Sequence, residues 1–275
     1  MNAFSHHEPH QTHHRSLFLS DLHLGAFGSR ADLVLRFLQR NSADSYVLVG
    51  DILDIWQAIL PQWSWPHQEV IEHLRRRHAE GASIIYVRGN HDPDPATAPD
   101  AKRLPVRATR SAVHVAADGK RYLIVHGDGQ DRRLLQLHIL TRLGSRADQT
   151  LRRLDKWLEH FVTRSGPDRR SLIESGLSKV NGWLYLYRNH EHQLVAMAAA
   201  QGLDGVICGH FHMAALHEEL GLVYANCGDW MDSFTALAED FSGRLQILGG
   251  REAMAWALDW PAIAPQGEQQ GAMQT

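Results

Sequence analysis

Five short apolar runs along the chain each end in a cluster of Gly, Asp, Asn and His: SLFLSDLHLG from Ser16, SYVLVGD from Ser45, ASIIYVRGNHD from Ala82, RYLIVHGD from Arg121 and GVICGHFH from Gly205. Unbroken β-branched and aliphatic runs closed by glycine predict strands buried on both faces, because a half-exposed strand would alternate apolar and polar positions. Helical spacing separates several of them. Leu33, Leu35, Phe37 and Leu38 follow the first cluster, and Val70, Ile71 and Leu74 follow the second. Strands alternating with helices predict an α/β fold with ligands bound at the strand ends.

Two departures modify this plan. In AVHVAADGKRYLIV, Asp118-Gly119 between two β-rich runs predicts a hairpin, which makes the sheet mixed. Between residues 129 and 190 the pattern becomes purely helical. Leu151, Leu154, Trp157, Leu158 and Phe161 form one stripe, with Arg152, Arg153 and Lys156 off it, and Leu177, Val180, Leu184 and Tyr187 repeat the spacing. This predicts an inserted pair or trio of amphipathic helices. GLVYANCGDW and GRLQILGG read as two further strands. The expected organisation is a disordered leader or tag over 1–15, one domain over 16–260 carrying the insertion at about 129–190, and a disordered tail over 261–275.

Composition narrows the chemistry. Of 275 residues, 19 are His, and five of them (His6, His7, His10, His13, His14) lie in the leader, which is set aside from the fold. A net charge of −3 does not imply nucleic-acid binding. Residues 129–190, however, hold 12 Lys and Arg against 6 Asp and Glu, which sets the insertion apart. Cys208 and Cys227 sit in apolar strand-like stretches where free buried thiols are expected. No apolar run approaches the roughly 18 residues of a membrane span, and the leader lacks a signal-peptide core, so the expected address is the cytoplasm.

The strand ends carry the candidate chemistry. They offer Asp21 and His23, then Asp51, then Asn90, His91 and Asp92, then His126 and Asp128, then His210 and His212. A spacing of two places Asp21 and His23 on one side of an extended chain. Asn, Asp and Gly are common in turns, but turns do not call for His at four of five strand ends. Imidazole, carboxylate and one amide oxygen without thiolate suit Mn2+, Fe or Zn2+. There are more donors than one ion needs, which points to two divalent ions sharing a carboxylate, a centre suited to in-line displacement at phosphorus.

The ordered set Asp-x-His, Gly-Asp-x-x-Asp, Gly-Asn-His-Asp, His-Gly-Asp and Gly-His-x-His, from Ser16 to Leu248 apart from the insertion, resembles the calcineurin-like metallophosphoesterases. The resemblance implies a four-layer α/β/β/α sandwich of mixed sheets with a helical insertion. It also implies that Asp21, His23, Asp51 and His212 hold one metal, and that Asp51, Asn90, His126 and His210 hold the other. A bridging hydroxide would then attack phosphorus, with His91 stabilising the transition state or protonating the leaving oxygen. Asp54, three residues after the bridging carboxylate, would orient His91; a helix N-cap is its alternative role.

Within that superfamily the chain is similar to bacterial UDP-2,3-diacylglucosamine diphosphatases, on SDLHLG, VGDILDIW, the basic insertion and NCGDW. That likeness implies cleavage of a nucleotide-linked lipid in the lipid A pathway with release of UMP, and a peripheral contact with the inner membrane. The chain departs from that group at His91, where its best-studied branch has Arg, and at GHFHMA, where that branch reads Gly-His-Thr-His-Arg-Pro. It therefore reads as a sister branch. Trp157, Trp183 and Leu184 would line an acyl groove, or simply pack a helical hairpin. Asn189, His190 and His192 either reach substrate or lie on the surface, and Trp56, Trp63 and Trp65 either cap the core or stack on a base. The alternatives to the lipid substrate are a soluble phosphodiesterase or nuclease with the same centre, and a non-catalytic interaction scaffold such as a retromer subunit.

Overall fold

The computed structural model describes residues 11–26, 28–54, 63–92, 104–130 and 188–250. In chain order the elements are β1 (Thr12–Leu19), α1 (Ala31–Arg40), β2 (Asn41–Val49), α2 (Trp65–Ala79), β3 (Ser83–Val87), β4 (Ala108–Thr109), β5 (Ser111–Val115) and β6 (Arg121–Val125). They continue with a helix, α3, over residues 188–200, then β7 (Gly205–Cys208), β8 (Ala215–Glu219), β9 (Leu222–Asn226), β10 (Thr235–Glu239) and β11 (Leu245–Gly249).

The strands form two mixed sheets, ordered β11-β10-β1-β2-β3-β4 and β5-β6-β7-β9-β8. Strands β1, β2 and β3 run parallel, as do β6, β7 and β9, while β10, β11, β5 and β8 pair antiparallel. The hairpin at Asp118-Gly119 is present, with Gly119 at φ +88°.

Alternation along the buried strands explains the layering. Leu17 and Leu19 of β1, with Tyr46 and Leu48 of β2, pack against Leu33, Val34 and Leu38 of α1 and Val70, Ile71 and Leu74 of α2. Their neighbours Phe18, Val47 and Val49 point the other way and meet Tyr122, Ile124 and Ile207 of the second sheet. Leu123, Val125, Val206 and Cys208 face outward onto Leu194, Val195 and Ala198 of α3. Three apolar layers between four structural ones make the expected α/β/β/α sandwich. Each large aliphatic side chain so buried contributes about 1.5–3 kcal/mol. Trp63 and Trp65 are partly buried against the first of these layers, in keeping with core capping; Trp56 lies outside the described residues.

The fold corrects the reading in two places. The polar leader does not extend to residue 15, because β1 begins at Thr12. His13 bonds Ser42 and Asp44, each at 2.9 Å, and buried His14 bonds Asn41 at 3.1 Å. The polar start of β1 thus pairs with the equally polar start of β2, so cross-strand hydrogen bonds rather than apolar packing extend both strands. Strands β4, β8 and β10 also escape the run-and-cluster pattern. β10, TALAE, is buried at all five positions between β1 and β11 yet has no β-branched or aromatic run.

β10 ends on Glu239, which is fully buried and ties the two sheets together. Its carboxylate accepts from Arg15 at 2.6 Å, Ser16 at 2.7 Å, His114 of β5 at 2.7 Å and the Ala117 amide at 2.8 Å. Burial pushes this carboxyl up, but the donors outweigh it and hold it down at about 2. A carboxylate with a depressed folded value stabilises the fold above its unfolded value near 4.5 and loses that contribution as pH falls toward 2. Glu239→Ala is therefore expected to cost about 3 kcal/mol at pH 7, with the difference from wild type shrinking as pH falls from 4.5 toward 2. Urea denaturation across that pH range measures both; equal midpoints at pH 7 would contradict the pin.

The chain divides into two compact units, Met1–Gly127 with Leu194–Thr275, and Asp128–Gln193. Leu151 to Phe161, Leu177, Val180, Trp183, Leu184 and Tyr187, whose spacing predicts the helical insertion, lie outside the described residues, as does the tail. Among the described residues no helix is long and apolar enough to cross a membrane. Cys208 and Cys227 are buried free thiols, as expected.

Candidate metal centre

The site forms where strands of both sheets end. Ser20 to His23 follow β1, Gly50-Asp51 follows β2, Gly89 to Asp92 follow β3, His126 follows β6 and Gly209 to His212 follow β7. The five clusters read from the sequence therefore converge on one region, at the carboxyl ends of parallel strands.

The backbone there is not extended. Among the described residues seven non-glycine positions have left-handed φ, and five of them are Asp21 (+54°), His23 (+45°), Asp51 (+54°), His210 (+73°) and His212 (+58°). Asp21 and His23 do face one side, with Oδ1 and Nε2 3.6 Å apart, but through left-handed backbone rather than through strand alternation. Such conformations cost about 1–3 kcal/mol apiece and persist only where the surroundings over-determine them.

Those surroundings are visible. The chain after β1 stays tied to the chain after β2 through Asp21 N to Gly50 O (3.0 Å), His23 N to Asp51 O (2.9 Å) and Asp54 N to Leu24 O (2.9 Å). Asp92, buried behind them, accepts five hydrogen bonds of 2.6–2.9 Å, from the amides of Asp51, Ile52, Leu53 and Gly89 and from the Tyr86 hydroxyl. Burial and the adjacent Asp51 carboxylate raise this carboxyl from its usual value against those donors. Two glycines let the loops close: a Cβ at Gly89 would land on Asp51, and one at Gly50 (φ +86°) would land on the His126 ring.

Asp51 lies at the centre. Its Oδ1 accepts from the His91 amide at 2.8 Å, while Oδ2 faces His126 Nε2 at 3.3 Å and His23 Nε2 at 3.8 Å. Asp21 Oδ1 faces His212 Nε2 at 3.3 Å and His23 Nε2 at 3.6 Å. Its Oδ2 is held by the Ser20 hydroxyl and the His210 amide. The ligating atoms group as Asp21, His23 and His212; as Asp21, Asp51 and His126; and as His23, Asp51 and His91, each set within 4.8 Å. The His210 ring stands edge-on to His126 at 5.1 Å.

Behind the imidazoles stand fixed acceptors. His126 Nδ1–H donates to the Val49 carbonyl at 2.9 Å. Asp54 Oδ2 receives both His91 Nδ1 at 3.0 Å and His23 Nδ1 at 3.3 Å, contacts that fit the orienting role; the residues after Asp54, on which a capping role would depend, lie outside the described residues. His212 Nδ1 lies 3.0 Å from Asp229 Oδ2. Burial pushes Asp21, Asp51 and Asp54 up, but the imidazoles around them prevail and hold all three below the usual carboxylate range. Burial lowers His212, and the Asp21 and Asp229 carboxylates overcome it to push that imidazole up to about 10.

The donor set fits divalent cations. Asp21 Oδ1 and Asn90 Oδ1 are sealed from solvent and accept no hydrogen bond from the described residues. An amide oxygen left without a donor, and a carboxylate oxygen that meets only ring nitrogens at 3.3 and 3.6 Å, are costly unless a cation completes them. Sequence reasoning quoted Asp92 and Asp229 within motifs but gave neither a role. Gly-Asn-His-Asp contained the signal for Asp92, since a buried Asp after a strand is where a loop's free amides gather. Asn189, His190 and His192 fall in the first turns of α3, within the second compact unit; Asn189 is exposed and His190 buried.

Several solved structures are similar at low identity. A phosphoesterase from E. coli, Yfce, shares 14% identity over 85% of this chain and 97% of its own, with a TM-score of 0.41. A Vps29 single mutant from Entamoeba histolytica shares 12% over 85% and 97%, also at 0.41. An archaeal phosphodiesterase shares 14% over 85% and 98%, again at 0.41. The decisive match is in sequence: residues 14–214 fit the family model for the calcineurin-like phosphoesterases, and the chain belongs to that family of metal-dependent hydrolases.

Proposed function

We propose that this protein is a two-metal hydrolase of a nucleotide-linked lipid diphosphate, of the UDP-2,3-diacylglucosamine diphosphatase kind, releasing UMP. The observation that carries the two-metal reading is Asp51, whose carboxylate stands between His126 on one side and His23 on the other. Asp21, His23, Asp51 and His212 would hold one cation, and Asp51, Asn90, His126 and His210 the other. Bound there, two divalent cations supply Lewis acidity, which acidifies water and neutralises charge on the phosphoryl oxygens. Mn2+ is the proposed metal, in keeping with a set of imidazole, carboxylate and amide oxygen.

The protein's own groups divide the remaining work. Asp54 accepts from His91 Nδ1–H and so holds the ring in place; in the imidazolium form Nε2–H would then carry the proton that the leaving oxygen needs. Asp92 holds the Asp51 loop in its left-handed turn, so the central carboxylate is oriented before substrate arrives. Support for the lipid substrate is in sequence: SDLHLG, VGDILDIW, NCGDW and the basic 129–190 segment, which would grip a diphosphate or anionic headgroups at the inner membrane.

Incubation with Mn2+ and UDP-2,3-diacylglucosamine in detergent, read by mass spectrometry, is expected to yield UMP. Cleavage of bis(p-nitrophenyl) phosphate without any UMP would overturn the lipid assignment and favour a soluble phosphodiesterase. Loss of neither activity after chelation would overturn the metal reading.

A further inference from the structure

The β9–β10 loop, residues 227–234, holds a buried carboxylate behind the metal-site imidazoles. Asp229 is fully buried, and its Oδ1 accepts the amides of Met231 (2.8 Å), Asp232 (2.6 Å) and Ser233 (2.9 Å). Those three bonds complete the turn. Oδ2 has no part in it; that oxygen is aimed at His212 Nδ1, 3.0 Å away.

The loop that carries it is fastened on every side. Trp230 is fully buried with its ring 5.0 Å from Phe37 of α1, and its amide donates to the Asp21 carbonyl at 3.2 Å. Buried Asn226 bonds the Gly209 carbonyl, at the start of the His210–His212 turn, and the Gly228 amide, both at 2.9 Å. Asp229 therefore moves with the same rigid frame that carries Asp21 and His212. A charge so deeply buried is expensive unless something pairs with it, and the imidazole is the pair.

The arrangement repeats at two other imidazoles. His126 is held at Nδ1 by the Val49 carbonyl, and His23 at Nδ1 by Asp54. In each case Nε2 faces Asp51 or Asp21. His212, on a left-handed turn and a quarter exposed on its side chain, needs the same restraint more than the sealed rings do.

We propose that Asp229 is a positioning residue for one metal site: it fixes His212 as the Nδ1–H tautomer and directs Nε2 to the cation shared with Asp21 and His23. The inference rests on the two-cation reading. A carboxylate behind a ligating imidazole fixes the ring and raises its basicity, and its loss typically weakens metal binding about 10–100-fold.

Full-length protein stripped with chelator and titrated with Mn2+ by calorimetry tests this, with metal content checked by elemental analysis. Wild type should show two sites. Asp229→Asn should weaken one of them about 10–100-fold and spare the other, and in a His212→Ala background it should add no further loss. Unchanged affinities in Asp229→Asn, or an equal loss in the His212→Ala background, would overturn the proposal. If Asp229→Asn fails to fold, nitrogen-15 spectra of the Zn2+-loaded wild type decide it: His212 should carry its proton on Nδ1, and a proton on Nε2 would refute the assignment. Wild type that takes up no Mn2+ would remove the two-cation reading and this inference with it, whereas two wild-type sites indifferent to Asp229 would remove the inference alone.

Discussion

Asp51→Asn is expected to leave a folded protein with neither metal site intact and with turnover below detection. Folding should survive because asparagine tolerates the left-handed conformation at position 51, and because the five bonds to Asp92 involve backbone amides and Tyr86, not the Asp51 side chain. The new Oδ1 can still accept from the His91 amide. The lost charge is what matters: an amide NH2 would stand where Oδ2 now faces His23 and His126. With the shared anion gone from both sites, the loss should exceed the about 10²–10³ typical of removing one preorganised donor. Metal content by elemental analysis and turnover on bis(p-nitrophenyl) phosphate check it. A variant that keeps two metals per chain would show that Asp51 is not shared.

His91→Ala should behave in the opposite way, retaining both metals and losing about 10²–10⁴ in turnover, the usual contribution of general acid catalysis. His91 contacts the centre through its amide and through Asp54, and its ring is partly open to solvent at 16%. The deficit should depend on the leaving group. A nitrophenolate departs without protonation, so a p-nitrophenyl ester should lose less than a substrate with a poorer leaving group. Equal turnover of variant and wild type on both would remove His91 from the mechanism.

Much of the fold and the site could be read in the chain because the same residues announce both. Apolar runs such as SYVLV must be buried on two faces, and the glycine ending each run marks where the backbone can turn toward a ligand. What pattern could not show was how the turns are made. Asp21 and His23 meet through left-handed backbone, which no alternation of side chains predicts. β10 was missed because its burial comes from lying between β1 and β11, not from its own residues. His13 and His14 looked like tail because their partners, Ser42, Asp44 and Asn41, lie on another strand. Asp92 and Asp229 act through backbone amides and a ring nitrogen, contacts that spacing alone does not reveal.

The five left-handed residues have an implication for how such a site drifts. At Asp21, His23, Asp51, His210 and His212 the backbone alone would favour glycine, which occupies that conformation without strain. A substitution to glycine at one of them relieves the main chain while removing the side chain. Damage to this centre can therefore arrive as a well-folded, even sturdier, inactive protein, and a screen for stability alone would tend to select it.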